Sequence, residues 1–304
     1  MNSVDMPLVS VVMPSYNGSG FIEASLLSVL EQEYPNIEII VVNDGSTDTT
    51  KDIVASLQEK NDRILLINSP ANQWIAKARN RWMEVAKWEY IAVLDCDDKR
   101  VDQNKIYKQV SFLQQHPDVG FLGTNSIVKR QHGDKSIFYK SEHSKSDKYL
   151  KEELLSTCPF THSSVMHRKS IYDEIGGYPE HVKYASDYGY WLKVGTHTKF
   201  ANLPDFTTLY NSHPDNTSHT HRLAQKMRSL SLSWQYRKDY PNAFKCLFRK
   251  TYGNLYSSLS GYMENHCPLL KDEIRKMLWR PTHHSLENKK EMESLMLALD
   301  IKWF

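Results

Sequence analysis

The run Leu94-Asp95-Cys96-Asp97-Asp98 puts three carboxylates within four residues. Like charges so close repel one another unless a cation sits among them. Hard oxygen donors suit Mg2+ or Mn2+, and Mg2+ is typically held by one or two carboxylates plus substrate phosphates. An acidic surface turn is the commoner meaning of such a run. Here it ends a buried apolar strand, and two other polar strand ends accompany it: Pro14-Ser15-Tyr16-Asn17 and Asn43-Asp44-Gly45-Ser46. That convergence favours a metal and phosphate site, because ligands of open parallel sheets bind outside the carboxyl ends of the strands. Asp44 has the chemistry to accept a hydrogen bond from a base or ribose, or to cap a helix beside Gly45. Tyr16 can stack on a base or serve as a turn aromatic. Neither GxGxxG nor GxxxxGK[ST] occurs, which disfavours dinucleotide-fold oxidoreductases and P-loop enzymes.

The elements that must position these clusters alternate in type. Short apolar runs at Leu8 to Met13, Ile37 to Val42, Ile64 to Ile67, Tyr90 to Leu94 and Val119 to Leu122 read as strands. Helical spacing fills the intervals at 19–33, from Ser46 or Thr47 to about Glu59, at 75–87 and at 103–115. Strands separated by helices of this length imply βαβ units and a mainly parallel sheet. The region from about 124 to 215 is mixed, with strands expected at Ser163 to His167 and Thr207 to Tyr210 and a helix at Tyr184 to Val194. From about 218 the pattern is helical, at 220–238, 241–263, 268–279 and 287–299. Within 222–250 eight basic residues interleave with five aromatics, and Asp239 is the only acid.

With 304 residues the chain can bury a large core as one long α/β domain with an appendage, or as two domains. A net charge of +2 points to no particular partner, and no nucleic acid is expected. No apolar run reaches about 18 residues, and the N-terminus lacks the pattern of a signal peptide. The four cysteines lie far apart, so neither a zinc site nor a disulfide framework is expected, and a reduced cytoplasmic setting fits.

The ordered set of motifs resembles the family 2 glycosyltransferases, inverting enzymes of the GT-A fold that use nucleotide-diphospho-sugars. The resemblance runs from Val9-Ser10-Val11-Val12-Met13-Pro14-Ser15-Tyr16-Asn17 through Ile40 to Asp48, Ala78-Arg79-Asn80 and Leu94 to Asp98. It continues through His162 to Met166, Gly176-Gly177-Tyr178 and Ser186-Asp187-Tyr188, ending at Tyr210 to His213. It implies a Rossmann-like mixed, mainly parallel sheet flanked by helices, with a C-terminal helical extension. Residues 1–217 would be the GT-A domain, with a donor half to about 124 and an acceptor half over 125–217, and 218–304 the helical region. Pro14, Tyr16, Asn17, Asp44, Arg79, Asp95 and Cys96 would then lie against the donor. Tyr16 and Asp44 would hold uracil or another base, and Asp95 would reach the ribose. Asp97 would bind the Mn2+ or Mg2+ that bridges the diphosphate. His213 would be a later metal or diphosphate ligand, or else a surface histidine. Asp187 matches the family's catalytic base, although an aspartate in the first helical turn is also favourable for the dipole alone.

The expected reaction is transfer of one sugar, UDP-linked by preference, to a hydroxyl of a glycan or lipid-linked saccharide. Surface polysaccharide, O-antigen or lipooligosaccharide biosynthesis would use it. The absence of a QxxRW motif favours single over processive transfer. The alternatives are a nucleotide-sugar-binding protein without turnover and, last, a metal-dependent phosphatase, which Lys99 disfavours. Peripheral contact of 222–250 with an anionic membrane is one expectation, and a helical cap over the acceptor cleft is another.

The chain also departs from the family. Ser186 stands where a glutamate precedes the base, Asn211 replaces an arginine, and Trp74, Trp82 and Trp88 stand where glycine is usual. Position 74 calls for close backbone approach to the donor phosphates, 82 for sheet packing and 88 for a left-handed helix end. The indoles mark shifted loops with a sugar platform at Trp74, local divergence with a loosened fold, or a weak or inactive transferase.

Overall fold

In the computed structural model, residues 6–83, 89–132, 135–143, 146–266 and 283–285 are described. Strand β1 (Val9–Ser15) is the spine of the sheet, paired in parallel with β2 (Ile37–Asn43) on one side and β4 (Tyr90–Val93) on the other. Beyond β2 lies β3 (Ile64–Asn68), also parallel. Helices α1 (Ile22–Leu30), α2 (Thr50–Lys60) and α3 (Ile75–Met83) make the crossovers.

Both faces of this sheet are covered, and the strand residues divide by parity. Val9, Val11 and Met13 join Ile39, Val41, Leu26 and Val29 in one apolar cluster. Val12, Ile40, Val42, Ile91 and Val93 join Ala76, Ala78 and Tyr190 in the other. Successive side chains of a strand point to opposite faces, so a strand buried on both sides reads as an unbroken apolar run.

After β4 the pairing changes sense. The turn 94–98 leads into β5 (Lys99–Arg100) and α4 (Lys105–Gln115), then β6 (Val119–His132) and β7 (Lys135–Ser141). Helix α5 (Asp147–Leu154) and a 3-10 turn at His162–Ser164 precede β8 (Met166–Arg168), which lies antiparallel between β4 and β6. Helices α6 (Lys169–Ile175) and α7 (Ser186–Val194) follow, and then β9 (Lys199–Ser212). β9 runs parallel to β6 and antiparallel to β5. The sheet is therefore mixed: parallel across β3-β2-β1-β4 and largely antiparallel beyond. Short α8 (Thr217–Thr220), α9 (Arg222–Gln235) and α10 (Ala243–His266) come after it, and β10 (His283–Ser285) pairs with β7.

Three expectations change. The strands at 119–122 and 207–210 are the visible parts of two 14-residue strands. Their middles hold buried polar residues that satisfy each other, such as Thr124 and Thr207, whose hydroxyls are 2.7 Å apart. The strand expected at 163–167 begins only at Met166, because buried hydroxyls of Ser163 and Ser164 bond to neighbouring loops instead of lying in a ladder. The helix expected from Tyr184 begins at Ser186, because Ala185 is left-handed at φ 61. The helices at 268–279 and 287–299, Cys267 and Trp88 lie outside the described residues, as do residues 84–87 of the helix expected at 75–87. Cys96, Cys158 and Cys246 are free thiols.

Candidate active site

The three polar strand ends meet at one edge of the parallel sheet, and cross-ties between loops hold them. Pro14 is buried in β1, paired with Val42. It stands beyond Val12, the last β1 residue in the β4 ladder, where its missing N–H costs no bond on that side. Asn17 is left-handed at φ 51, and its Oδ1 accepts the Thr47 amide at 2.8 Å. Gly18 N donates to Thr50 Oγ1 and Ser19 N to Asp48 Oδ2. Tyr16, between these anchored residues, is exposed. The buried Asp44 carboxylate accepts the Gln73 amide at 3.0 and 3.2 Å, so it ties β2 to the residue before the start of α3. Gly45, at φ +71, passes so close to Ala71 that a Cβ would stand 2.6 Å from its carbonyl carbon. Glycine is required there on both counts.

The three carboxylates of the acidic turn have three different environments. Asp95 is compensated within the protein: Arg79 donates to its Oδ1 at 2.8 Å, and His162 Nδ1 lies 3.0 Å from its Oδ2. A carboxylate is the strongest acceptor available to that ring nitrogen, so the Nδ1 proton is assigned to Asp95. His162 Nε2 then accepts from the Tyr178 hydroxyl at 3.2 Å. Burial opposes ionisation of Asp95, but His162 and Arg79 outweigh it and hold the carboxyl well below the usual range. Arg79 is itself buried, lies over the Tyr178 ring at 5.1 Å, and leaves its Nε without a partner.

Asp98 is structural. It accepts from Ser163 Oγ and, at 2.8 Å, from the Asn211 amide, joining the turn to β9. Burial, then Asp97 and Asp95, push its carboxyl up. Asn211, where the family has arginine, thus serves through its backbone. Ser25 Oγ fastens the turn from below, within reach of the Cys96 and Asp98 carbonyls. The Cys96 thiol is pushed up to about 12 by burial and by Asp97, so it stays protonated and inert.

Asp97 differs from both. Its Oδ2 meets His213 Nε2 at 3.0 Å and accepts Asn216 Nδ2 at 2.9 Å. Asn216 Oδ1 accepts the His213 amide at 2.6 Å, and Phe21 stacks on the imidazole at 4.8 Å. His213 is therefore an oriented group at the acidic turn. Burial and Asp95 push the Asp97 carboxyl up, with His213 partly offsetting them. A divalent cation fits this place. It would relieve the burial of Asp97, and one carboxylate with one imidazole plus diphosphate oxygens is a donor set that Mg2+ or Mn2+ accepts. His213 Nδ1 is buried without a hydrogen-bond partner, so the ring's one hydrogen bond is the one from Nε2 to Asp97, and a cation bound there would take the place of that proton.

Asp187 lies in the first turn of α7, two residues after left-handed Ala185. A non-glycine residue there stores roughly 1–3 kcal/mol of strain. Asp187 is half-buried and acts electrostatically on Arg79, so it and the acidic turn share one neighbourhood. It also lines a cavity of about 380 Å3 with the loop Ser156-Thr157-Cys158 and helices α9 and α10.

His162, Tyr178, Asn216 and Asn80 complete the site and were not singled out from sequence. Asn80 donates to the Tyr178 carbonyl and accepts its amide, both at 2.8 Å, fixing the loop that carries Tyr178. The signal for three of them was present, since His162, Tyr178 and Asn80 all fall in motifs of the family's order, although no role was assigned to them. Asn216 carried none.

Trp74 is left-handed, at φ 73, where α3 begins. A backbone angle in this region favours glycine at position 74. The indole is exposed, and Lys183 Nζ stands 3.6 Å from its ring centroid. Trp82 lies within α3.

The sequence model of the family described as Glycosyl transferase family 2 matches residues 10–176. An uncharacterized glycosyltransferase of Haemophilus influenzae is 41% identical over 113 residues, which are 37% of this chain and 45% of the relative, so the match spans less than half of that protein. A relative of Escherichia coli described as UDP-Glc:alpha-D-GlcNAc-diphosphoundecaprenol beta-1,3-glucosyltransferase WfaP is 32% identical, covering 70% of this chain and 80% of the relative. Among solved structures, the mannosyltransferase PcManGT of Pyrobaculum calidifontis, described in complex with GDP-Man and Mn2+, superposes with a TM-score of 0.64 at 19% identity. That superposition covers 98% of this chain and 87% of the other, and it shows a shared GT-A fold.

Proposed function

This chain belongs to glycosyl transferase family 2, and from that premise we propose that it transfers one sugar, with inversion, from a UDP-sugar to a hydroxyl of a glycan or lipid-linked saccharide. The observation that carries this reading is the position of Asp187. It lines a cavity large enough for a sugar and lies close enough to Arg79 to act on its charge. A base must reach the hydroxyl it deprotonates while the leaving group departs on the other side of the reacting carbon.

In this mechanism the acceptor hydroxyl gives its proton to the Asp187 carboxylate as its oxygen bonds to the anomeric carbon. The bond from that carbon to the diphosphate oxygen breaks in the same step, and the nucleoside diphosphate leaves with the bonding pair. Asp187 then returns the proton to solvent. Asp97 and His213 would hold Mn2+ or Mg2+, which when bound stabilises negative charge on the departing diphosphate. Asn216 orients that pair. Arg79 and His162 fix Asp95 toward the ribose, and Asp44 with the exposed Tyr16 frames the base.

Residues 1–217 form the catalytic unit of this proposal, and among the described residues beyond it the helical expectation holds for α9 and α10 but not for 283–285, which form β10 on the edge of β7. Two expectations for 222–250 are compatible, because they use opposite faces. The inner face of α9 and α10 closes the cavity at Asp187. The outer face bears an apolar groove lined by Met227, Trp234, Phe244 and Phe248, with Arg237 4.4 Å over the Trp234 ring, in a stretch rich in basic residues. That combination suits the headgroup region of an anionic membrane on the cytoplasmic side. Among the described residues, no helix is long and apolar enough to cross a membrane.

The deciding experiment is thermal stabilisation by a panel of nucleotide-sugars with and without Mn2+, followed by a transfer assay with the stabilising donor. Stabilisation by UDP-sugars and product formation are expected. UDP binding with no transfer or hydrolysis, across a broad acceptor panel, would replace the transferase with a binding protein. Co-sedimentation with anionic vesicles tests the outer face, which should bind in a salt-sensitive way.

A further inference from the structure

The cavity beside Asp187 has a chemical bias that inverting transfer does not require. Among the described residues lining it, Asp187 is the one carboxylate, whereas Lys226, Arg249 and Lys250 are cationic. Asp97, His213, Asp95 and Asp44 do not border it, so these cations are not placed for the donor diphosphate. Lys250 is buried. Its Nζ lies 3.9 Å over the Tyr188 ring and bonds Ser233 Oγ at 2.9 Å. Tyr188 OH in turn lies 2.5 Å from the Leu154 carbonyl and 2.8 Å from Ser233 Oγ. The ammonium is thus held in a fixed place on the wall rather than on a free surface side chain. Burial lowers its pKa to about 7, and an anion entering the cavity would hold it charged.

Resting on the assignment of Asp187 as the base, we propose that this cavity is an acceptor subsite for a phosphate group, read by Lys226, Arg249 and Lys250. The acceptor hydroxyl faces Asp187, and the phosphate of the same molecule lies toward α9 and α10. Arginine offers a paired-donor fork matched to phosphate, and the two lysines add point charges. Two acceptor types share this chemistry: a saccharide on a lipid diphosphate, and a glycan with phosphodiester links.

The test uses the full chain with EDTA present and UDP saturating the donor site, and inorganic pyrophosphate as the probe in calorimetry. Wild type and Asp187→Asn should bind pyrophosphate alike. A Lys226→Ala/Arg249→Ala double variant should bind it roughly ten-fold or more weakly, with unchanged UDP affinity as proof that it is folded. Arg249→Gln alone should give an intermediate loss. Equal affinity in wild type and the double variant, no binding to wild type, or tighter binding of glucuronate than of pyrophosphate overturns the subsite. Competition by farnesyl diphosphate identifies a lipid-linked acceptor, and competition by glycerol-phosphate oligomers a phosphodiester glycan. Competition by neither overturns the assignment to acceptor. Transfer retained by Asp187→Asn would remove the base while leaving the pyrophosphate result standing, so the two ideas fail separately.

Discussion

On the strand-end side of the cleft, each loop is tied to another by a short polar bond: Asn17 to Thr47, Gly18 to Thr50, Ser19 to Asp48, Asp44 to Gln73 and Arg79 to Asp95. On the Asp187 side, the ties sit behind the wall. Tyr240 OH bonds the Leu192 carbonyl at 2.6 Å and Cys246 Sγ the Glu152 carbonyl at 3.0 Å, fastening the C-terminal helices to the body. The first arrangement fixes a site of one shape, as a donor with constant nucleotide and diphosphate parts demands. The second fixes a frame from behind, and within the lining Lys250 and Tyr188 share Ser233 Oγ.

The variant that breaks this comparison most severely is Asp187→Asn. Loss of a general base typically costs 10^2–10^4-fold, so kcat should fall by about 10^3 while UDP-sugar affinity holds. Retained transfer in a steady-state assay would take Asp187 out of its role.

Arg79→Met attacks the opposite side through stability. Removing one partner of a buried ion pair typically costs about 3–5 kcal/mol, read here by denaturant unfolding. The depressed Asp95 carboxyl adds a pH signature. Its stabilising contribution is complete above the ordinary aspartate range near 4 and is lost as pH falls below it. Wild type should lose stability with acid across that window more steeply than Arg79→Met, and parallel pH profiles would sever Asp95 from Arg79.

His213→Ala should be milder and confined to metal. Mn2+ affinity should drop by roughly 10–100-fold, with metal-free UDP binding unchanged in calorimetry. An equal loss of UDP binding without Mn2+ would show that the imidazole touches the nucleotide itself.

The smallest effect separates two causes at Trp74. Trp74→Ala removes the Lys183 contact but keeps a side chain at positive φ, while Trp74→Gly removes both. The glycine variant should be the more stable by about 1 kcal/mol, against the cation–π loss of about 0.5–1 kcal/mol common to both. Alanine equal to or better than glycine in chemical denaturation would mean that the backbone angle is not strained.

The parallel half of the fold was legible because strands buried on both faces read as continuous apolar runs, and the polar clusters at their ends stood out against them. The antiparallel half was not. Thr124, Asn125, Ser126, Thr207 and Thr208 are buried polar residues inside long strands, and their satisfaction by distant partners leaves no trace in local pattern. In the site, the acidic turn was legible as a cluster, but its division of labour was not. Which carboxylate is compensated, which is structural and which is held by His213 and Asn216 depends on residues far along the chain, namely His162, Ser163, Asn211 and Asn216. Trp74 was flagged by its departure from glycine, but the reason lay in a backbone angle that only the assembled α3 entry shows.

The contact between Lys183 and Trp74 also gives the cleft an optical signal. One partner starts the donor-side helix, and the other lies two residues before the left-handed Ala185 that aims Asp187. An ammonium 3.6 Å from an exposed indole alters its emission, whereas Trp191 is fully buried in the core. Any ligand that draws the two walls together or apart changes that distance. The difference in fluorescence between wild type and Trp74→Phe therefore isolates this indole and reports any change in its contact with Lys183, without a label.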